Sequence, residues 1–378
     1  MRYERMPIEI ESPEQMGYGS ITCNLTESSV ADATLSGLGL GDLGAHLAEL
    51  TLAYGDHLGH PGLRDVLAAD SGAGMVTPGS VLVTPGAAGA LFIISTSLLQ
   101  AGSHAVVAAP NYATNIVTPR AIDADVELLE LRFEDGYRLD LDRLAAMIRA
   151  DTAFVSLTCP HNPTGTMLAM DEIDAVIDLV ERRGTRLVLD ETYREMGRPE
   201  PLPIGAGRSE SVISVSSMSK SYGIPGIRLG WLMTTDPVLQ EVFLAAKEQM
   251  VIGNSLIDEE IAFQVLRRRD HILPGIRNGI DAHREIVTRW MAGEDALEWV
   301  EPSGGVVCFP RITADSGVDV EAFYEILNRN HGTYVGPGHW FEQPRAHFRL
   351  GYGWPSTTEL EDGLANISAS LTAVASRV

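Results

Sequence analysis

Short apolar runs rich in β-branched residues recur through the first two thirds of the chain, each closed by glycine, proline or a polar cluster. Residues 80–86 (SVLVTPG), 104–110 (HAVVAAP), 125–131 (DVELLEL), 153–160 (AFVSLTCP), 186–191 (RLVLDE) and 211–217 (SVISVSS) predict strands. Nearly continuous apolar runs of this length mark strands buried on both faces of a mostly parallel sheet. Helical patterns alternate with them: AAGALFIISTSLLQAG after residue 86, and AMDEIDAVIDLVERRG over 169–184, whose apolar spacing suits a crossover helix ending at Gly184. Strand and helix alternating in this way predict an α/β layered domain.

The texture then changes. A helical stretch over roughly 234–295 leads to a predicted hairpin at LEWVEPSGGVVCFPRI, a helix at VDVEAFYEILNRNHG, the short pieces YVGPG and HFRLGYG, and a terminal helix at STTELEDGLANISASLTAVAS. The first forty-odd residues read as extended and loop-like, with a glycine-rich piece SGLGLGDLG. The expected organisation is a large α/β domain over 46–285 and a smaller α+β domain from 1–45 together with 286–378. A length of 378 residues, long for one core, agrees with two domains.

Charge and cysteine usage narrow the function. A net charge of −23 argues against nucleic-acid binding, which needs basic surface. The start MRYERMPIEIESPEQ has no apolar core of a leader, and no run approaches a membrane span, so a cytoplasmic protein without a membrane partner is expected. Cys23, Cys159 and Cys308 are far apart and form no CxxC pair, so neither a disulfide framework nor a metal site is expected. Cys159, ahead of PHNPTG, is read as a small buried residue at a strand end and not as a nucleophile.

Ligands of open α/β sheets bind beyond the carboxyl ends of the strands. Here those ends carry Gly86, Ala87 and Ala88 at a strand-to-helix turn, Asn162 in HNPTG, Asp190 in VLDETY, and Ser217, Ser219 and Lys220 in SVSSMSK; Arg228 follows in a glycine-flanked turn. The small turn residues let backbone N–H groups approach an anion. Asp190 taken alone is somewhat better explained by capping than by pairing with a cation. Together, the set suits a phosphorylated heteroaromatic aldehyde: Arg228, Ser217 and the Gly86 turn around the phosphate, Asp190 on a protonated ring nitrogen, Lys220 forming an imine. A lysine with a pKa of about 10.4 is a poor nucleophile at neutral pH, so burial and nearby positive charge are required of its pocket.

The stretch SMSKSYGIPGIRLGW resembles the S-x-S-K…G-x-R-x-G signature of the class I/II aminotransferases, fold type I pyridoxal phosphate enzymes. YGDHLGHPGLR, TPGAAGAL, PHNPTG, DETY and HFRLGYG follow that family's order, so the resemblance covers most of the chain. It implies pyridoxal 5′-phosphate as cofactor and Lys220 as its Schiff-base lysine and Cα proton carrier. It implies that Asp190 contacts the pyridine nitrogen, that Asn162 and Tyr193 bind the ring hydroxyl, and that Tyr112 (in PNYATN) stacks on the ring. Gly86, Ala87, Ala88, Ser217, Ser219 and Arg228 would surround the phosphate. Tyr54 would reach the phosphate of a neighbouring subunit in a homodimer with shared active sites, and Arg349, with Asn162 beside it, would clamp the substrate carboxylate. His57 and His60 are read as polar loop residues.

Transfer of the amino group of an L-amino acid to a 2-oxo acid is the reaction this resemblance implies first. NLTESSVADATLSGL, however, departs from the family's usual substrate-covering loop. PHNPTG, SKSYGIPGIRLGW, SGGVVCFPRITA and PGHWFEQPRAHFRLGYG also resemble the capreomycidine synthase branch. That likeness, shared with enduracididine-type synthases, implies elimination and cyclisation of a hydroxylated arginine, with Glu27, Asp42 or Asp56 as candidates for binding a guanidinium. A sensor domain of a transcription regulator is not expected, because the chain leaves no room for a winged helix before YGDHLGHPG.

Overall fold

The computed structural model describes residues 1–17, 19, 21–71 and 74–375. In chain order, β1 is Cys23–Leu25, β2 Val81–Thr84, β3 His104–Ala109, β4 Asp125–Glu130, β5 Thr152–Thr158, β6 Arg186–Asp190, β7 Val212–Ser217 and β8 Gly230–Met233. Strands β2 to β8 form one sheet in the order β2-β8-β7-β6-β5-β3-β4. The β4-β3-β5-β6-β7 run is parallel, and β8 lies antiparallel to both of its neighbours.

The apolar runs are buried because helices cover both faces. Leu187 and Leu189 of β6 join one core with Ile173, Val176 and Val180 of the helix Met170–Arg183. Val188, between them, joins the opposite core with Ile93, Ile94 and Phe243, from the helices Gly86–Leu98 and Pro237–Met250. The period-two alternation of strand side chains sends neighbours to opposite layers. β4, at the sheet edge, keeps Asp125 and Glu130 exposed.

One strand is added to those the sequence predicts, and two readings are revised. Gly230–Met233, between the Arg228 turn and the helical stretch, forms β8. The stretch 234–295 divides into helices Pro237–Met250, Leu256–Leu266 and Arg269–Met291, the first break containing Ile252 at φ 60°. The expected hairpin is split between sheets: β9 (Leu297–Glu298) pairs with β11 (Arg311–Ile312), while β10 (Val307–Cys308) joins another sheet.

That second sheet has the order β1-β12-β13-β10, with β12 at Thr333–Pro337 and β13 at Phe348–Gly351. β1 runs parallel to β12 and brings the N-terminal segment into it. That segment also contains two short helices, Pro7–Glu11 and Pro13–Met16, each begun by a proline whose missing N–H costs nothing at a helix start.

Gly351 shows how tightly the segment is held: a Cβ there would stand 1.8 Å from the Glu27 carbonyl oxygen. Gly351→Ala is expected to force the two apart and cost roughly 1–3 kcal/mol, as overpacking does. Thermal unfolding measures this; an unchanged melting curve would show that the 24–28 segment yields freely.

Candidate active site

The carboxyl ends of β2, β3, β5, β6 and β7 point to one side of the sheet, and antiparallel β8 brings its amino end, just after Arg228, to the same side. A cavity of about 380 Å³ opens there. Ala87, Ala88, Tyr112, Asn162, Asp190 and Tyr193 line it, as do Ser217, Ser219, Lys220, Arg228, Arg349 and Glu27. The residues singled out in the sequence are thus gathered from strand ends far apart in the chain.

The anion end is built from helix Gly86–Leu98, whose first turn has no side-chain cap, so its N–H groups and the positive end of its dipole remain available. Gly86 has φ 72°, and a Cβ on it would come 3.0 Å from Arg228 Nη2. A Cβ on Gly230 would stand 2.7 Å from the Ala87 nitrogen, so glycine there lets the turn sit against the strand. Arg228 itself is in the left-handed region at φ 45°, and its Nη1 donates to the Pro225 carbonyl at 2.8 Å. Ser217 and Ser219 complete a cradle of donors.

Asp190 ends β6 nearly buried, and its Oδ1 accepts from Thr192 N at 3.1 Å and Thr192 Oγ1 at 2.6 Å. It therefore does locally what a cap does and still presents a carboxylate to the cavity. Burial pushes its pKa up, while Thr192 and Asn115 hold it down; among the described residues no cation pairs with it. Lys220, half-buried, has its pKa pushed down by burial, with Arg349 and Arg228 acting the same way and Glu27 and Glu14 opposing. Burial and the two guanidinium groups thus shift the balance toward the unprotonated amine.

Arg349, on β13, is only 4 % exposed. Its Nη2 donates to the Thr26 carbonyl at 2.6 Å, its Nη1 to Asn162 Oδ1 at 3.2 Å, and its Nε finds no partner. The guanidinium lies 5.0 Å from the Phe341 ring and pairs with no carboxylate among the described residues. Burial of this kind is costly unless an anion completes it.

Several functional positions escape the sequence reading. Glu9 and Glu14, on the short N-terminal helices, and Trp340 line the cavity. Asn111 shapes the turn that presents Tyr112: its Oδ1 accepts from Tyr112 N at 2.7 Å and Thr158 Oγ1 at 3.1 Å. An asparagine after a strand was visible as a turn former; nothing local pointed Glu9 or Glu14 at a site so distant in the chain. Two candidates are corrected. Asp42 is exposed at the start of helix Leu43–Ala48, and Asp56 is engaged by Arg64 Nη2 at 2.6 Å, so neither lines the cavity. Tyr54 stands outside it and is 85 % exposed. His57 pairs with Glu248 and His60 caps helix Pro61–Asp70, as loop polar residues do. Cys159 is buried and its thiol pushed up to about 12, which leaves it inert.

The sequence matches the family described as "Aminotransferase class I and II" over residues 26–367. The chain belongs to that family. It is 31% identical over 330 residues to capreomycidine synthase of Streptomyces vinaceus, covering 86% of this chain and 82% of the relative. Its structure resembles that of a PLP-dependent aminotransferase from Streptococcus suis, with a TM-score of 0.91, 25% identity and 99% of each chain covered. It also resembles a PLP-dependent cyclase named OrfR, with a TM-score of 0.87, 27% identity, and 99% and 98% covered. The fold is that of the fold type I enzymes, and the cofactor is pyridoxal 5′-phosphate.

The residues present fit that cofactor: a donor cradle at Arg228, Ser217 and the Gly86 turn, a buried carboxylate with no cation paired to it among the described residues, and an amine whose pKa burial lowers. The charges around Lys220 give a signed test. Glu27 is the strongest group opposing its deprotonation, so Glu27→Gln is expected to lower the pKa further. Acetic-anhydride labelling of Lys220 in cofactor-free protein, mapped by peptide mass, should then begin at lower pH; a profile that stays put or moves up would separate Glu27 from the lysine.

Proposed function

We propose that the protein is a pyridoxal phosphate-dependent aminotransferase acting on an L-amino acid whose side chain is cationic. The observation that carries this is Arg349, a buried guanidinium that pairs with no carboxylate among the described residues, in the same cavity as Lys220. A planar fork held at two corners by Thr26 and Asn162 is suited to an α-carboxylate, which it would bind and orient. Lys220, as a neutral amine, removes the Cα proton and later returns one. Pyridoxal phosphate, when bound, supplies an electron sink for the pair left on Cα. Asp190 would favour positive charge at the ring nitrogen, Asn162 and Tyr193 would hold the ring hydroxyl, and Tyr112 would cover the ring face.

The side-chain charge follows from the roof. Glu9, Glu14 and Glu27 share the cavity with Arg349, and Glu27 Oε1 accepts a long contact from Asn24 Nδ2 at 3.4 Å. Carboxylates so placed complement a guanidinium or ammonium on the substrate. The same feature supports a second reading, elimination and cyclisation of a hydroxylated arginine, in line with the likeness to capreomycidine synthase. Both reactions begin with the same proton transfer. Tyr54 and Leu52, 85 % and 72 % exposed, suit contact with a second copy in a homodimer.

Incubation of holoenzyme with arginine, 3- and 4-hydroxyarginine, lysine and neutral amino acids, followed by mass analysis, decides between the readings. Pyridoxamine phosphate with a 2-oxo acid indicates transamination; loss of water without amine transfer indicates cyclisation. Turnover of neutral amino acids alone would overturn the cationic substrate. Glu27→Gln is expected to lower kcat/KM for the cationic substrate by about 10- to 100-fold, the worth of a charged hydrogen bond. Lys220→Ala should lose the borohydride-sensitive absorbance band, and a variant that kept it would refute the assignment of the lysine.

A further inference from the structure

Behind the end of β5, away from Lys220, lies another cavity of about 350 Å³. Leu131, Leu139, Leu157, Met167 and Val300 give it apolar walls. Thr158 is common to this cavity and the active-site cavity, and it sits in register with Asp190.

Tyr137 lines the second cavity with its ring 5 % exposed and its Oη without a hydrogen-bond partner. A buried phenol left in this way is uncommon and calls for an explanation. The side chain is not free to turn toward solvent. Tyr137 is in the left-handed region at φ 55°, its N–H donates to the Arg132 carbonyl at 2.8 Å, and its ring packs edge-on against Phe133 at 5.7 Å and tilted against Phe309 at 6.4 Å. Burial pushes its pKa well up, so the phenol stays a neutral donor.

Charge of both signs lines the same cavity. Arg138 is exposed and makes no ion pair among the described residues; Glu172 and Glu301 supply carboxylates, and Glu172 already accepts from Ala169 N at 2.7 Å. Of the other polar side chains, Thr158 bonds Asn111, Thr166 bonds Thr164 and Ser303 Oγ accepts from Met167 N, whereas His161 uses Nδ1 on Thr164 and leaves its buried Nε2 without a partner. An apolar chamber with an unused phenol donor, an unpartnered imidazole nitrogen and a mixed-charge lining suits a ligand with an apolar body and a doubly charged head.

We propose that this cavity is a second binding site, separate from the catalytic one, for a zwitterionic small molecule of the size of an apolar amino acid. Arg138 receives its carboxylate, Glu172 and Glu301 its ammonium, and Tyr137 donates to it. The site does not depend on which reaction the enzyme performs.

Calorimetric titration of the holoenzyme with L-leucine and L-phenylalanine, with the cofactor absorbance followed in parallel as a report of active-site occupancy, tests the assignment. Saturable heat without an absorbance change is expected, abolished in Leu139→Trp and weakened about tenfold in Tyr137→Phe, a change small enough to preserve the fold. Isoamylamine and 4-methylpentanoate, each with one of leucine's two charges, should bind at least about tenfold more weakly. Heat that always tracks the absorbance, or wild-type binding by both variants, overturns the site. Equal binding of either analogue overturns the zwitterionic class.

Discussion

The unpaired guanidinium of Arg349 is the constraint around which the two sheets are arranged. It stands on β13 of the smaller sheet, yet its hydrogen bonds go to Asn162, in the loop after β5 of the larger sheet, and to Thr26, just after β1. One side chain thereby ties three segments that have no sequence proximity. Because the partners are a carbonyl and an amide, the cation is oriented without being neutralised. A carboxylate from the chain would have stabilised the fold more and closed the position to any anion from outside.

Asp190 repeats this logic with the sign reversed. Thr192 holds one oxygen, burial raises the cost of the charge, and no cation among the described residues answers it. Lys220 shares their cavity, its proton affinity lowered first by burial and then by Arg349 and Arg228, against Glu27 and Glu14. Under the proposed function, each of these ionic groups is half of a pair whose other half is a small molecule. Stability is surrendered at these positions, and in return the dipoles are already aligned before any ligand arrives.

Much of this was legible in the chain. Strands buried on both faces announce themselves as unbroken apolar runs, and residues at their carboxyl ends share a crevice by topology alone. The Lys220–Arg228 spacing added the cofactor. What stayed hidden has physical reasons. β8 is four residues long and carries no period of its own. Glu9 and Glu14 reach the cavity only because their helices fold back over the strand ends, a tertiary fact without a local signal. Asp42 and Asp56 had the right chemistry, but Arg64 competes for Asp56, and Asp42 stays at a surface turn.

The parallel pairing of β1 with β12 has a consequence in time. Cys23 aligns with Thr333 and Leu25 with Val335, so the strand that leads into Thr26 and Glu27 has no partner until nearly the whole chain exists. On a ribosome, which feeds the chain out from its N-terminus, the large sheet has all its strands long before this pair can close. The crevice lined by Lys220 and Asp190 is thus available early, while the Thr26–Glu27 wall, which the proposed function makes the selector of substrate, is the last part to be assembled.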